Sequence, residues 1–174
     1  MLRKRLQEMT EVEDVSRHPA LLSEITRDYP NTVAVVESCH PLERYTCVMH
    51  VFDFVEKPEY VAIAERGFNR VFAGGAFVNW LLDRGLLEKL QWSDTGRGDV
   101  VLYFNEQGSF KHAGLILAGE RLLSKWGTGH LFEHGVLEVP ESYGTGLLLV
   151  KGVPYDEGYK RFCDFATENG MIFQ

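Results

Sequence analysis

The pattern of apolar residues changes at a turn-rich joint, Trp92–Gly98, and this change is the feature that most constrains the fold. Before the joint, apolar residues recur mostly at helical spacing. After it, short β-prone runs are separated by glycines, without the stretches of about 10–15 residues that crossover helices need. Helices followed by antiparallel strands define an α+β protein. We therefore predict an α+β fold in which N-terminal helices pack on a curled antiparallel β-sheet.

The predicted elements follow this division. Helices are expected in four places: a short one after Pro19, one within 42–54 that begins after Pro41, one from Gly74 or Gly75 to Asp83, and a C-terminal one over 155–169. Strands are expected over 99–104, 113–118, 121–125, 131–139 and 146–151. The segment 31–37 is compatible with a strand or with the entry to a helix.

Composition narrows the class of protein. The chain has 174 residues, of which 45% are hydrophobic and 25% charged, and this predicts one domain over 1–174. A net charge of −7 argues against nucleic acid and against a polybasic membrane anchor as partners. No apolar run approaches the ~20 residues that span a bilayer. Three cysteines without regular spacing, and no secretory pattern at the N-terminus, lead us to expect a cytoplasmic protein.

Cys47 is the first candidate for chemistry. It lies near the start of the helix predicted after Pro41, where the helix dipole and free N–H groups are expected to lower the pKa of a thiol and favour the nucleophilic thiolate. A cysteine on an apolar helix face also has a purely structural interpretation, since free cysteines are among the most buried residues. Both interpretations remain open from position alone.

His112 is the best-placed base for such a thiol. It opens the second predicted strand directly after a loop, a position from which a side chain can face a cleft. The next predicted strand carries Ser124, the polar residue nearest in phase, with Lys125 beside it. A polar residue there would orient the imidazole.

The order of these elements resembles the NlpC/P60 and CHAP group of the papain-like cysteine peptidase superfamily. The resemblance covers roughly 42–126, about half of the chain, within a motif-bearing region of about 42–151. Three segments carry it: Tyr45-Thr46-Cys47, Gly98-Asp99-Val100-Val101-Leu102-Tyr103-Phe104, and Lys111-His112-Ala113-Gly114-Leu115-Ile116-Leu117. The segments Ser124-Lys125-Trp126-Gly127, Phe132-Glu133-His134 and Tyr143-Gly144 are similar to those of uncharacterised papain-like domains.

The resemblance implies a catalytic set. Cys47 would be the nucleophile, His112 the general base, and Ser124 would occupy the third, orienting position. The family usually has His, Asn or Gln at that position, so Lys125, His130 and His134 remain alternatives. The implied function is that of a cysteine hydrolase (amidase or peptidase) or acyl transferase that acts on a peptide-like, amide or acyl substrate without a cofactor. A catalytically inactive binding domain on the same scaffold is the alternative, and the oligomeric state stays open.

Two metal sites compete with this interpretation. The first would use four residues with suitable ligand atoms but without the spacing of structural zinc sites: Cys39, His40, Cys47 and His50. The second is an H-x-x-E-H string formed by His130, Glu133 and His134, which binds zinc only when it lies on a helix. The surrounding glycines and β-prone residues argue against that helix. We expect no metal at either place, and a small metal-binding protein that uses the first four residues is the third and weakest hypothesis.

Overall fold

The structure of the protein is a computed structural model, which describes residues 1–64 and 72–170. The α-helices in these residues are α1 (Leu2–Thr10), α2 (His18–Asp28), α3 (Cys47–Val51), α4 (Pro58–Ala64), α5 (Gly75–Asp83) and α6 (Tyr155–Glu168). The strands are β1 (Ala34–Val36), β2 (Val100–Phe104), β3 (Phe110–Ala118), β4 (Arg121–Lys125), β5 (Leu131–Gly135) and β6 (Gly146–Val150).

The strands form one sheet in the order β1-β5-β4-β3-β2-β6, and every neighbouring pair is antiparallel. The consecutive strands β2 to β5 pair in sequence, as expected for strands joined by short turns. On the β2–β3 ladder, Val101 is opposite Gly114 and Tyr103 is opposite His112. The predicted α+β class, with helices and an antiparallel sheet, is confirmed.

Both faces of the sheet are buried, because residues that alternate along each strand belong to different cores. Val100, Leu102 and Ala113 belong to a first core, which also contains buried residues of α3 to α6. Val101 and Tyr103 belong to a second core, which contains buried residues of α1 and α2. The first core is rich in aromatic rings: Phe54, Tyr60, Phe77 and Phe162 are all 1% exposed or less. The N-terminal helices therefore divide between the two faces.

Two predicted boundaries near the candidate site were wrong. The helix predicted after Pro41 begins only at Cys47, because Tyr45 is extended and Thr46 caps the helix by accepting a hydrogen bond from the Met49 N–H at 3.2 Å. Strand β3 begins at Phe110, so His112 is its third residue and does not open it. Cys47 is consequently the first residue of a helix, a sharper placement than the sequence suggested.

The remaining predicted elements agree with the structure to within a few residues. Helix α5 and strand β4 occupy Gly75–Asp83 and Arg121–Lys125, as predicted. The segment 31–37, for which the sequence allowed a strand or the entry to a helix, contains strand β1. The strand predicted over 131–139 ends at Gly135, where its N–H donates to the Glu138 carboxylate at 2.9 Å.

Candidate active site

A cavity of about 610 Å³ opens where α3 begins beside β3. This volume lies within the range of about 300–1,000 Å³ that is typical of small-molecule sites. Cys47 and His112 both belong to its wall. The structure therefore brings the predicted nucleophile and the predicted base to one cavity, although they come from different elements.

Cys47 is partly buried, and its sulfur lies close to backbone N–H groups. Burial raises the pKa of the Cys47 thiol above its ordinary value of 9.0, and this effect outweighs hydrogen bonding from the N–H groups of Ala113, Val48 and Cys47 itself and the nearby charge of Lys125. The expected lowering of this pKa by the helix end is therefore wrong. Since the sulfur packs against the first core, loss of hydration dominates, and the thiol keeps its proton at neutral pH.

His112 is 1% exposed and reaches the cavity from the other face of the sheet. Its neighbour Ala113 belongs to the first core, whereas the His112 ring contacts Tyr103 of the second core, with ring centroids 5.6 Å apart. The ring of Tyr143 stacks on the imidazole at 4.0 Å. Burial, reinforced by the proximity of His134 and His50, lowers the pKa of His112 well below 6.5, so the imidazole is neutral.

The Nε2 atom of His112 is buried and has no hydrogen-bond partner within the part of the chain that the structure describes. A buried polar atom without a partner carries a free-energy penalty, and such atoms are found at sites that a ligand or water completes. His112 also belongs to the cavity wall, and its imidazole is neutral at pH 7.

Ser124 is buried but does not orient His112. Its Oγ accepts a hydrogen bond from Trp126 Nε1 at 2.9 Å and lies 2.7 Å from His134 Nε2. The other His134 nitrogen, Nδ1, donates to the Gly135 carbonyl at 2.8 Å, so Nε2 is the acceptor and the Ser124 hydroxyl donates to it. The hydroxyl is thus engaged on both sides, and no hydrogen bond joins Ser124 to His112 among the described residues. The predicted orienting role of Ser124 is corrected to a structural one.

Tyr143 takes the position next to the imidazole that the sequence assigned to Ser124. It lies in a short 3-10 helix, Glu141–Tyr143, and its ring covers one face of the His112 ring while also belonging to the cavity wall. The Tyr143-Gly144 pair was part of the resemblance, but nothing in its local spacing indicated contact with His112. A stacked ring fixes the plane of an imidazole without binding either nitrogen.

Gly144 determines where Tyr143 can lie. Its φ of +81° is in the region that only glycine adopts readily, and a Cβ atom added there would lie 2.1 Å from the Phe104 carbonyl oxygen. The Gly144 carbonyl in turn accepts a hydrogen bond from Arg3. The turn at Gly144 therefore packs against Phe104 of β2 and is hydrogen-bonded to Arg3 of α1.

Gly144→Ala is expected to lower the free energy of unfolding by about 3 kcal/mol, because the side chain adds both backbone strain and a steric overlap. The melting temperature should fall by roughly 6–12 °C. Gly119→Ala is the matched control: its φ is +54°, but no atom lies within 4 Å of the added Cβ. We expect about 1 kcal/mol there. Equal losses in the two variants would show that the overlap at Gly144 contributes nothing.

Lys125 is one of the residues that the sequence left as alternatives for the orienting position. In the structure its charge acts on Cys47. It is 0% exposed, donates to the Gly127 carbonyl at 2.8 Å, and lies 5.0 Å from the centre of the Tyr45 ring. Burial lowers the pKa of Lys125 to about 8, while Cys47 and Glu43 raise it. A buried ammonium is costly unless it is hydrogen-bonded or paired, and here the Gly127 carbonyl and the Tyr45 ring offset part of that cost, while the charge of Lys125 lowers the pKa of Cys47.

Lys125→Met removes this charge while keeping a long apolar side chain, and we expect it to raise the pKa of Cys47 further. The rate of Cys47 alkylation by iodoacetamide at pH 8 should fall, because the thiolate is the reacting species. Cys39→Ser and Cys163→Ser in the background restrict the reaction to one thiol. If the rate of Cys47 alkylation has the same pH dependence with and without Lys125→Met, the charge of Lys125 does not affect the pKa of Cys47.

The structure does not assemble either of the alternative metal sites. Cys39 is exposed, and His40 Nδ1 pairs with the Glu56 carboxylate at 3.0 Å. His130 donates from Nε2 to the Val15 carbonyl at 2.9 Å, and His134 lies in strand β5 rather than on a helix. Over residues 1–64 and 72–170, no three His, Cys, Asp or Glu side chains are placed to hold one ion.

Comparison with known proteins adds no family to this description. Neither the family models, nor the curated proteins, nor the solved structures gave a match to the chain. None of the described helices is long and apolar enough to cross a bilayer. The site consists of a cavity whose wall contains a partly buried thiol and a neutral imidazole, together with a buried ammonium whose charge acts on the thiol.

Proposed function

We propose that this protein is a papain-like cysteine enzyme, similar to the NlpC/P60 group, that hydrolyses or transfers an acyl group with Cys47 as the nucleophile and His112 as the general base. The observation that carries the proposal is the shared cavity, in whose wall both side chains lie. The neutral state of the His112 imidazole supports it, since a general base must be unprotonated before it takes a proton. The resemblance of the ordered segments around both residues to the papain-like group points the same way.

The first step is attack by a neutral pair rather than by a preformed ion pair. Because the thiol is protonated and the imidazole neutral, His112 takes the thiol proton as the Cys47 sulfur attacks the substrate carbonyl carbon. A C–S bond forms and the carbonyl oxygen becomes an oxyanion. The charge of Lys125 favours the developing thiolate during this step.

The N-terminus of α3 supplies donors for the oxyanion. The first N–H groups of a helix have no partner within the helix, and Thr46 Oγ1 satisfies only that of Met49. The N–H groups of Cys47 and Val48 hydrogen-bond the sulfur in the structure, and in the proposed reaction they donate to the oxyanion of the tetrahedral intermediate that forms there.

The second half of the reaction releases the product. His112 returns its proton to the leaving group as the bond from the carbonyl carbon to that group breaks, which leaves a thioester on Cys47. Water or another acceptor then attacks the thioester carbon, the C–S bond breaks, and the proton returns to sulfur. Hydrolysis and acyl transfer differ only in this acceptor.

The proposal is tested by acylation with p-nitrophenyl acetate, followed by mass spectrometry of the peptides. We expect an acetyl thioester on Cys47 in the wild-type protein and none at this position in Cys47→Ala. Cys163→Ala is the matched control, because Cys163 is also a partly buried cysteine against the first core but lies on α6. Cys163→Ala should acylate as the wild-type protein does.

The outcome also separates the enzyme from an inactive binding domain. Acetylation of the exposed Cys39 alone, at the rate of a free thiol, would overturn the proposed function. The cavity would then belong to a binding protein on the same scaffold.

A further inference from the structure

The two sides of the cavity differ in chemistry. The wall residues of α3 and α4 other than Cys47 are Met49, Tyr60, Val61 and Ala64, and Phe72 also belongs to the wall, as do the charged Glu43 and Arg44, which precede α3. The Tyr60 hydroxyl accepts a hydrogen bond from the Ala73 N–H at 2.8 Å, and Tyr60 is buried in the first core. From β3 the wall has the polar residues Lys111 and His112, and Thr128 and Tyr143 also belong to it.

The proposed reaction fixes which part of the substrate lies on each side. His112 protonates the leaving group, so that group must lie on the β3 side of the reacting carbonyl. The acyl part is the other carbon substituent of the reacting carbonyl, and we place it toward the apolar residues of α3 and α4. The group transferred to Cys47 thus faces the apolar wall, and the leaving group faces the polar one.

The apolar wall also extends to the protein surface. The side chain of Phe72 is 53% exposed, which is unusual for so large an apolar group at the rim of a cavity. A ligand that covers Phe72 would remove this apolar surface from water, which favours binding.

We propose that the substrate carries an aliphatic acyl chain, which the α3–α4 side of the cavity binds, joined to a polar leaving group on the Lys111 side. This inference rests on the proposed function, since the orientation follows from the role of His112. It predicts selectivity for the length of the chain and not for the leaving group alone.

The test uses p-nitrophenyl esters from acetate to decanoate. The thioester on Cys47 forms as the bond to the p-nitrophenolate oxygen breaks, and water then releases the fatty acid. We expect kcat/KM to rise about fourfold for each added methylene until the cavity is filled, which is the expected gain for a buried CH₂. If kcat/KM for acylation of Cys47 is the same with the acetate and the decanoate ester, the length of the chain has no effect. This result overturns the acyl-chain inference and leaves the proposed function intact.

A variant in the wall makes the test specific. Ala64→Trp fills part of the α4 side and is expected to shift the optimum to shorter chains, so that the ratio of kcat/KM for decanoate to that for acetate falls. Ala118→Trp is the matched control, because Ala118 is exposed at the end of β3, outside the cavity. A shift of equal size in both variants would assign the effect to something other than the wall. Circular dichroism confirms that both variants are folded.

Binding of decanamide to Cys47→Ala, measured by calorimetry, separates failure of the inference from failure of the proposed function. If Ala64→Trp weakens this binding at least tenfold, the acyl-chain site is supported even when no ester acylates Cys47. The absence of acylation would then overturn only the catalytic role. Absence of both binding and acylation overturns the two proposals together.

Discussion

Lowering the pH from 7 to 5 is expected to reduce the free energy of unfolding by about 4 kcal/mol or more, from histidines alone. Burial lowers the pKa of His50 and of His134 from 6.5 to about 4 in the folded protein. The pKa of His112 is lowered in the same direction. In the unfolded chain all three return to their ordinary value.

The sign follows from which state binds more protons. Between pH 6.5 and about 4 the unfolded chain protonates these imidazoles while the folded protein keeps them neutral, so acid favours unfolding. Each of His50 and His134 then contributes about 2 kcal/mol of lost stability at pH 5. The carboxyls of the buried Asp99 and the half-buried Glu138 have lowered pKa values and lose their charge only at lower pH, so they add little in this window.

Urea unfolding at the two pH values measures the difference directly. His134→Gln removes one of the titrating groups, and we expect it to make the difference between pH 7 and pH 5 smaller by about 2 kcal/mol, whatever it costs at pH 7. A free energy of unfolding that is the same at pH 5 and pH 7 would contradict the burial of these imidazoles in neutral form.

The parts of the fold that depend on local pattern could be predicted from the sequence. Strand β4 and helix α5 were placed correctly because their apolar spacing and flanking glycines are local signals. The start of α3 was not placed correctly, because an apolar pattern runs through 42–54 and gives no sign that Tyr45 is extended. Tyr45 is held by contacts distant in sequence, including that with Lys125.

The residues of the candidate site also divide into those that local sequence signals indicate and those that they do not. Cys47 and His112 could be identified because ordered segments around them resemble a known group. Tyr143 and Lys125 could not, because their positions beside these residues depend on how strands and turns far apart in the chain are brought together. The direction of the Cys47 pKa was wrong for a related reason: the sequence reveals the helix end but not the burial that outweighs it.

His112→Gln is expected to lower the rate of Cys47 acylation by about 10²–10⁴-fold, the usual contribution of a positioned general base. Glutamine keeps a polar side chain of similar length but cannot accept the thiol proton. Alkylation of Cys47 by iodoacetamide at high pH needs no base from the protein, so it should proceed in His112→Gln as in the wild-type protein. Loss of both reactions would indicate a collapsed site instead of a missing base.

The pH dependence of the wild-type reaction makes the role of His112 more specific. A histidine with its ordinary pKa of 6.5 would be mostly protonated at pH 6, and kcat/KM would be severalfold lower there than at pH 7.5. Because burial keeps His112 neutral well below 6.5, we expect kcat/KM to be the same at these two pH values, measured where circular dichroism shows the protein to be folded. The stacked Tyr143 ring contributes to this burial, so Tyr143→Ala should expose the imidazole, raise its pKa and restore the fall in rate at pH 6. A level profile in the wild-type protein together with a falling one in Tyr143→Ala would identify the buried imidazole as the base that acts on Cys47.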